Sequence, residues 1–193
     1  MPDGVLNNME AVAALEPDAE LMLRLKAGDT ASFSLLLARY RGPVIHFLYR
    51  MVQNAAVAEE LAQEVFLRVY RARASYVASA KFTTWLFRIA LHLALNNLRD
   101  ARDQRETASL DDLQVADRGP SAEQRLVQAA RLAEIRGAIR ALPDKQRAAV
   151  LMHKYEEMGY AQIAEVFGCS ESAVKSLLFR AYETLRARLA HMG

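Results

Sequence analysis

The chain has 193 residues, 52% of them hydrophobic, and a formal net charge of +2; that is enough apolar bulk for one large or two small domains, and it excludes a globally basic or acidic protein. A single cysteine, Cys169, excludes an internal disulfide framework, and the four histidines (His46, His92, His153, His191) lack cysteine or carboxylate partners at ligand spacing, so neither a metal site nor a cofactor is expected. The first residues lack a basic start followed by an apolar run, and no apolar stretch approaches ~20 residues, so a cytoplasmic protein with no membrane insertion is expected.

In chain order, residues 1–17 form an acidic segment closed by Pro17 and read as a poorly ordered leader. Asp18 is a candidate cap for a short helix ending at Lys26, with Gly28 after it. From Thr30 to about Val52 the residues Phe33, Leu36, Tyr40, Val44, Phe47 and Met51 keep helical period, and Pro43 inside the run predicts a kink or a split. A second long helix is predicted from Asn54 to about Ala74, with Leu61, Val65 and Val69 inward and Glu59, Glu60, Gln63, Glu64 and Arg68 outward. Residues 75–82 read as a loop of small residues carrying Tyr76, Lys81 and Phe82. The next helix is predicted from about Thr83 to Arg105, with Leu86, Ile89 and Leu93 on one stripe and Leu91, Leu95 and Leu98 on another.

Charge is unevenly spread. Between residues 66 and 105 the bases Arg68, Arg71, Arg73, Lys81, Arg88, Arg99, Arg102 and Arg105 face only Asp100 and Asp103, which makes this segment a candidate phosphate-facing surface. Periodicity then vanishes over residues 107–120, an acidic stretch with a Gly-Pro pair that reads as a linker between domains 18–106 and 121–193. Ser121 with Gln124 makes a capping box opening a helix to about Ala141, and Pro143 opens another to about Lys154. No strand is predicted, so the fold class is all-α, in two helical domains.

The end of the chain carries the sharpest pattern, GYAQIAEVFGCSESAVKSLLFRA from Gly159 to Ala181. Ala164 is small where a second helix would cross, Gly168 can take the positive φ that ends a first helix, and Val174 with Leu177 would pin the second against it. Ile163, Phe167 and Cys169 would fill apolar positions, and the Ser170 hydroxyl would cap the second helix. Ser172, Lys175, Ser176, Phe179 and Arg180 are left on the outer side, a mixture of hydroxyl, cation and aromatic that suits a DNA major groove; a plain helical hairpin with a solvated face is the competing reading.

Leu142-Pro143, Arg147, Tyr160-x-x-Ile163-Ala164 and Val174-Lys175-Ser176 together resemble the promoter-reading C-terminal domain of bacterial sigma factors. Ala58 to Leu67 (AEELAQEVFL) resembles their polymerase-binding helix, and Phe82 to Ala90 (FTTWLFRIA) the helix that melts and reads the promoter. The motif order, two domains and short length are similar to the extracytoplasmic-function subfamily, over about residues 19–189. His92 stands where the family usually has Asn, Leu177 where Arg commonly follows Lys-Ser, and Gly159 where Ser or Thr is usual. These departures bear on promoter selection more than on the class of function.

The resemblance implies a non-enzymatic initiation factor that binds core RNA polymerase and promoter DNA. Ser170, Ser172, Lys175, Ser176, Phe179 and Arg180 would meet the upstream promoter element. Tyr76, Lys81, Phe82, Trp85, Arg88, His92, Asn96 and Arg99 would open and read the downstream one, by stacking on bases and neutralising phosphates. For Phe179 and Trp85, packing within their own domain is the competing role. Glu59, Glu60, Gln63 and Glu64 around an exposed Phe66 would meet the clamp helices of the polymerase largest subunit, or else are simply solvated. An anti-sigma protein is a further partner the family implies. Two other classes are carried alongside: a free-standing helix-turn-helix regulator that binds its operator without polymerase, and an enzyme with a site near His46, Tyr49 and His92.

Overall fold

In the computed structural model, residues 17–107 and 123–192 are described. The predicted leader up to residue 16, most of the linker and the Ser121 end of the capping box lie outside the described residues, and Pro17 opens the first helix instead of closing the leader. Within them every regular element is helical and there is no strand. Two compact units divide within one long helix, between Ala94 and Leu95, with Glu165–Phe167 grouped with the first.

The first unit opens with α1, Pro17–Lys26, whose first turn holds Asp18 and Glu20 and whose last holds Arg24 and Lys26, each sign matched to the helix dipole. Asp18 is not the cap expected of it. It is buried inside the first turn and accepts hydrogen bonds from the Arg39 guanidinium and the Tyr40 hydroxyl, which fasten α1 to the next helix. Gly28 takes φ 103°, and Asp29 caps α2 by accepting from the Ala31 amide at 3.1 Å and the Ser32 hydroxyl at 2.9 Å. The Ser32 hydrogen bond, with Arg24 beside it, holds the Asp29 carboxyl below its ordinary range.

Helix α2, Thr30–Val52, runs unbroken through Pro43. Leu36 before the proline and Val44, Phe47, Leu48 and Met51 after it are all fully buried, so packing on both sides carries the helix past the missing hydrogen bond. Gln53 closes it in the left-handed region, and the Asn54 side chain caps α3, Ala55–Arg71, by accepting from the Val57 amide at 3.1 Å. Helix α3 packs on α2 through Ala58, Ala62, Val65, Phe66 and Val69. A 3-10 turn, Ala72–Ser75, leads to the loop before α4, Phe82–Thr107.

Besides the end of α4, the second unit contains α5, Glu123–Arg140, α6, Asp144–Tyr155, the first five residues of α7, Tyr160–Phe167, and α8, Glu171–Arg188, followed by a 3-10 turn, Ala190–Met192. Pro143 sits one residue before α6, as its cap. The core is the α6–α8 contact: Ala148, Val150, Leu151 and Met152 are buried on one side, and Val174, Leu178 and Ala181 on the other. Arg147 is buried at its edge, donating to the Arg140 carbonyl and to Asp144 Oδ1, both at 2.7 Å, and so ties the end of α5 to the start of α6.

Candidate nucleic-acid interface

The helix-turn-helix forms for the local reasons its residues supply. Gly168 adopts φ 65°, and the next amide, that of Cys169, reaches back to the Ala164 carbonyl at 3.0 Å, the six-to-one bond that satisfies the end of a helix. Ser170 Oγ accepts from the Ala173 amide at 3.2 Å and caps α8. At the entry to α7, Gln162 Oε1 accepts from the Gly159 amide at 3.2 Å, so glycine is tolerated where a hydroxyl residue is usual, because the third helical residue answers it.

Three expectations here are corrected. The residue that locks α8 inward with Val174 is Leu178, not Leu177: positions 174, 178 and 181 form one stripe, and Leu177 lies half-buried at its border. Cys169 is exposed, because the turn uses its amide rather than its side chain. Phe167, too, is only half-buried, and Val166 is the buried neighbour.

Ser170, Ser172, Lys175, Ser176, Phe179 and Arg180 are all exposed on α8 or at its cap. The Ser176 hydroxyl donates to the Ser172 carbonyl at 3.0 Å, which leaves its lone pairs outward. Phe179 is 67% exposed, so packing within the unit does not account for it.

In the first unit the aromatic residues expected to meet bases are largely inside. Tyr76 is 5% exposed and Phe82 is fully buried. Tyr40 meets Phe82 at 5.3 Å between centroids, Phe82 meets Trp85 at 6.0 Å, and Trp85 meets Tyr76 edge-on at 5.1 Å. Such offset and edge contacts stabilise a core, so Tyr76 and Phe82 shape the loop from below instead of offering stacking faces. Trp85 is half-buried at the margin of this cluster. Lys26 of α1 donates to the Tyr76 carbonyl at 3.0 Å and anchors the loop backbone. The loop presents outward Ser75, Ser79, Lys81 and Val77, the last missed in the sequence reading because a lone aliphatic residue in a loop carries no periodic signal.

Positions 85, 88, 92, 96 and 99 recur at helical spacing along α4, so Trp85, Arg88, His92, Asn96 and Arg99 share a side of that helix. His92, Asn96 and Arg99 are exposed and Arg88 is half-buried; Arg99 lies 3.5 Å from Asp100.

On α3, Glu60 and Gln63 are exposed, while Glu59 pairs with Arg41 at 2.8 Å and Glu64 with Arg68 at 2.7 Å. The Arg68 hydrogen bond holds the Glu64 carboxyl below its ordinary range. Phe66, expected outside, is only 5% exposed: 58, 62, 65, 66 and 69 form the inward stripe, and Leu67 next to it is the exposed apolar residue. The edge of Phe66 nevertheless lines an open apolar cavity of about 520 Å³ between α2 and α3, with Phe33, Leu37, Leu67 and Tyr70 around it and Arg41 and Glu59 at its rim. Among the described residues there is no cluster of side chains able to hold a metal ion, and no helix long and apolar enough to cross a membrane.

A family profile described as Sigma-70 region 2 matches residues 36–104, and one described as Sigma-70, region 4 matches residues 132–185. The chain is 32% identical to the RNA polymerase sigma-H factor of Pseudomonas aeruginosa, an alignment covering 88% of this chain and 92% of that protein. It is 30% identical to the ECF RNA polymerase sigma factor SigW of Bacillus subtilis, over 86% and 93% respectively. Among solved structures, the sigma factor RpoE of Bartonella quintana, in complex with the anti-sigma factor NepR, shares the fold with a TM-score of 0.65 at 19% identity, over 82% of this chain and 96% of that one.

Proposed function

Because the chain belongs to the extracytoplasmic-function RNA polymerase sigma factors of the sigma-70 family, we propose that its two units divide promoter recognition between α8 and the loop-α4 segment. A sigma factor brings core polymerase to specific promoters and assists their melting, and the chemistry of RNA synthesis belongs to the polymerase. The observation that carries the division is the exposure of Lys175, Phe179 and Arg180 on the helix behind a properly capped turn.

In this reading α8 enters the major groove of the upstream element. Lys175 and Arg180 address base edges or phosphates, Ser176 and Phe179 fill the surface between them, and Ser170 and Ser172 sit near the backbone at the N-terminal end. Downstream, the work falls to Lys81 in the loop and to Trp85, Arg88, His92, Asn96 and Arg99 on one side of α4, with Tyr76 and Phe82 acting from within as a rigid floor. A partly aromatic face on a fixed backbone favours the separated strand over the duplex, because a ring can stack on an unpaired base, while the cations beside it hold that strand by its phosphates. Glu59, Glu60, Gln63 and Glu64, with Leu67 beside them, form the polymerase contact, and Phe66 supports it from below. The protein acts in the cytoplasm, and an anti-sigma protein, as bound to the Bartonella quintana sigma factor, is its expected inhibitor.

The test is a gel-shift and run-off experiment with purified components. Weak duplex binding by the chain alone, and promoter-specific transcription once core polymerase is added, is the expected result. Tight operator binding without stimulation of core enzyme would overturn it in favour of a free-standing regulator.

A further inference from the structure

Three helices of the second unit meet in a row of side chains that ends at the reading surface. His153 of α6 has its Nδ1 3.0 Å from the Tyr182 hydroxyl of α8. The same imidazole stacks on the ring of Tyr160, the first residue of α7, at 5.4 Å between centroids and 15° between planes. The Lys175 ammonium lies 5.8 Å from the centroid of that Tyr160 ring. Tyr160 is 40% exposed and Lys175 is exposed, while His153 and Tyr182 are half-buried. The row therefore runs from a supported interior pair to a ring, and from that ring to a cation on the surface.

A lysine on the outside of a helix is a compact charge on a flexible stem and takes whatever acceptor comes within reach, phosphate or base. An aromatic face that is itself held flat narrows this freedom, because the ring attracts the ammonium to one side of the stem's range. We propose that Tyr160 is a positioning residue for promoter selection: held by the His153–Tyr182 pair, its ring fixes the direction of Lys175 and turns a general phosphate contact into a discriminating one. This rests on the reading of Lys175 as a contact to the upstream element. At an exposed site a contact of this kind supports roughly a two- to five-fold change in an equilibrium constant, which sets the size of the expected loss of discrimination.

The experiment uses the full chain assembled with core polymerase. A promoter is first selected by the holoenzyme from templates with a randomised upstream element, and run-off transcription is then compared between it and its single-base-pair variants. Lys175→Ala is expected to flatten selection at one or two positions. Tyr160→Leu should flatten the same positions by roughly two- to five-fold, Tyr160→Phe should keep selection because it keeps the ring, and Tyr160→Leu should add nothing in the Lys175→Ala background. If Lys175→Ala leaves selection unchanged, the parent reading of Lys175 fails. If it flattens selection while Tyr160→Leu does not, or if the two losses add in full, Tyr160 does not act through Lys175 and the proposal is overturned.

A spectroscopic readout keeps the test independent of folding in the transcription assay. In the isolated full chain, the ε-methylene protons of Lys175 should be shifted upfield by the ring in the wild type and in Tyr160→Phe, and the shift should vanish in Tyr160→Leu. A Lys175 signal at its free position in the wild type would equally overturn the proposal.

Discussion

Replacing Ser170 separates the folding role of the turn from its role on DNA. In Ser170→Ala the Ala173 amide loses its acceptor at 3.2 Å, and removal of such a cap costs about 1 kcal/mol within a range of roughly 0.5–2. For a domain the size of the second unit, about 1 kcal/mol lowers the melting temperature by roughly 4–8 °C. Ser170→Asp restores an acceptor and places a negative charge at the positive end of α8, so its melting temperature should match or exceed the wild type. On DNA the order changes. The aspartate stands where Ser170 is proposed to approach phosphate and should repel it, so upstream-element-dependent transcription should fall furthest in Ser170→Asp, with Ser170→Ala intermediate. Thermal melting followed by far-ultraviolet circular dichroism, paired with run-off transcription at a temperature below all three transitions, reads both orders. A Ser170→Ala protein that melts with the wild type would refute the capping argument, and a fully active Ser170→Asp protein would refute the approach to phosphate.

Three further outcomes can be checked. Charge reversal of Glu60 and Glu64 together should lower affinity for core polymerase in a fluorescence titration while the circular dichroism spectrum is kept; unchanged affinity would make that face merely solvated. Arg147→Ala should destabilise the second unit by about 2–3 kcal/mol in urea unfolding, since it strands the Arg140 carbonyl and one side of Asp144. Arg147→Met should cost less, because it keeps the stem volume and also removes a buried Nε that has no hydrogen-bond partner. Burial, with Tyr160 nearby, raises the ionisation of the Tyr182 phenol above its ordinary 10.0. The protonated form is thus the one the fold prefers, so this contribution to stability is complete below pH 10.0 and is lost as pH climbs through the raised value. The phenolate absorbance difference between the wild type and Tyr182→Phe should accordingly appear later than that of exposed tyrosines, and coincidence with them would contradict the burial.

What could be read in the sequence was what the chain decides locally. Gly168 must turn where no side chain is wanted, Ser170 must satisfy amides three residues on, and the spacing of Lys175 and Arg180 from Val174 puts them outside whatever else surrounds them. Where two apolar residues stand side by side, periodicity alone cannot choose between them. Helical spacing points to Leu177 where Leu178 is the buried residue, and to an outward Phe66 where Leu67 is the exposed one. The aromatic cluster was unreadable for a different reason: Tyr40 lies 42 positions from Phe82, and only the closing of α2 over α4 makes an inward floor of rings that look, in sequence, like a sticky loop. Asp18 misled likewise, since an acid near a helix start has the look of a cap until Arg39 and Tyr40 arrive from another helix to enclose it. Pro43 does not split α2, because the buried residues on both sides of it outweigh a single lost hydrogen bond.

Helix α7 is only eight residues long, well under the ~12–15 at which a helix holds together by itself in water. It exists because Ile163, Ala164 and Val166 are buried, and the turn at Gly168 ties its end to the start of α8. A heat-damaged or nicked molecule should therefore lose the reading surface as a whole instead of keeping a half-formed version of it. Under stress, output should decline through the number of intact molecules while the fidelity of each survivor stays the same.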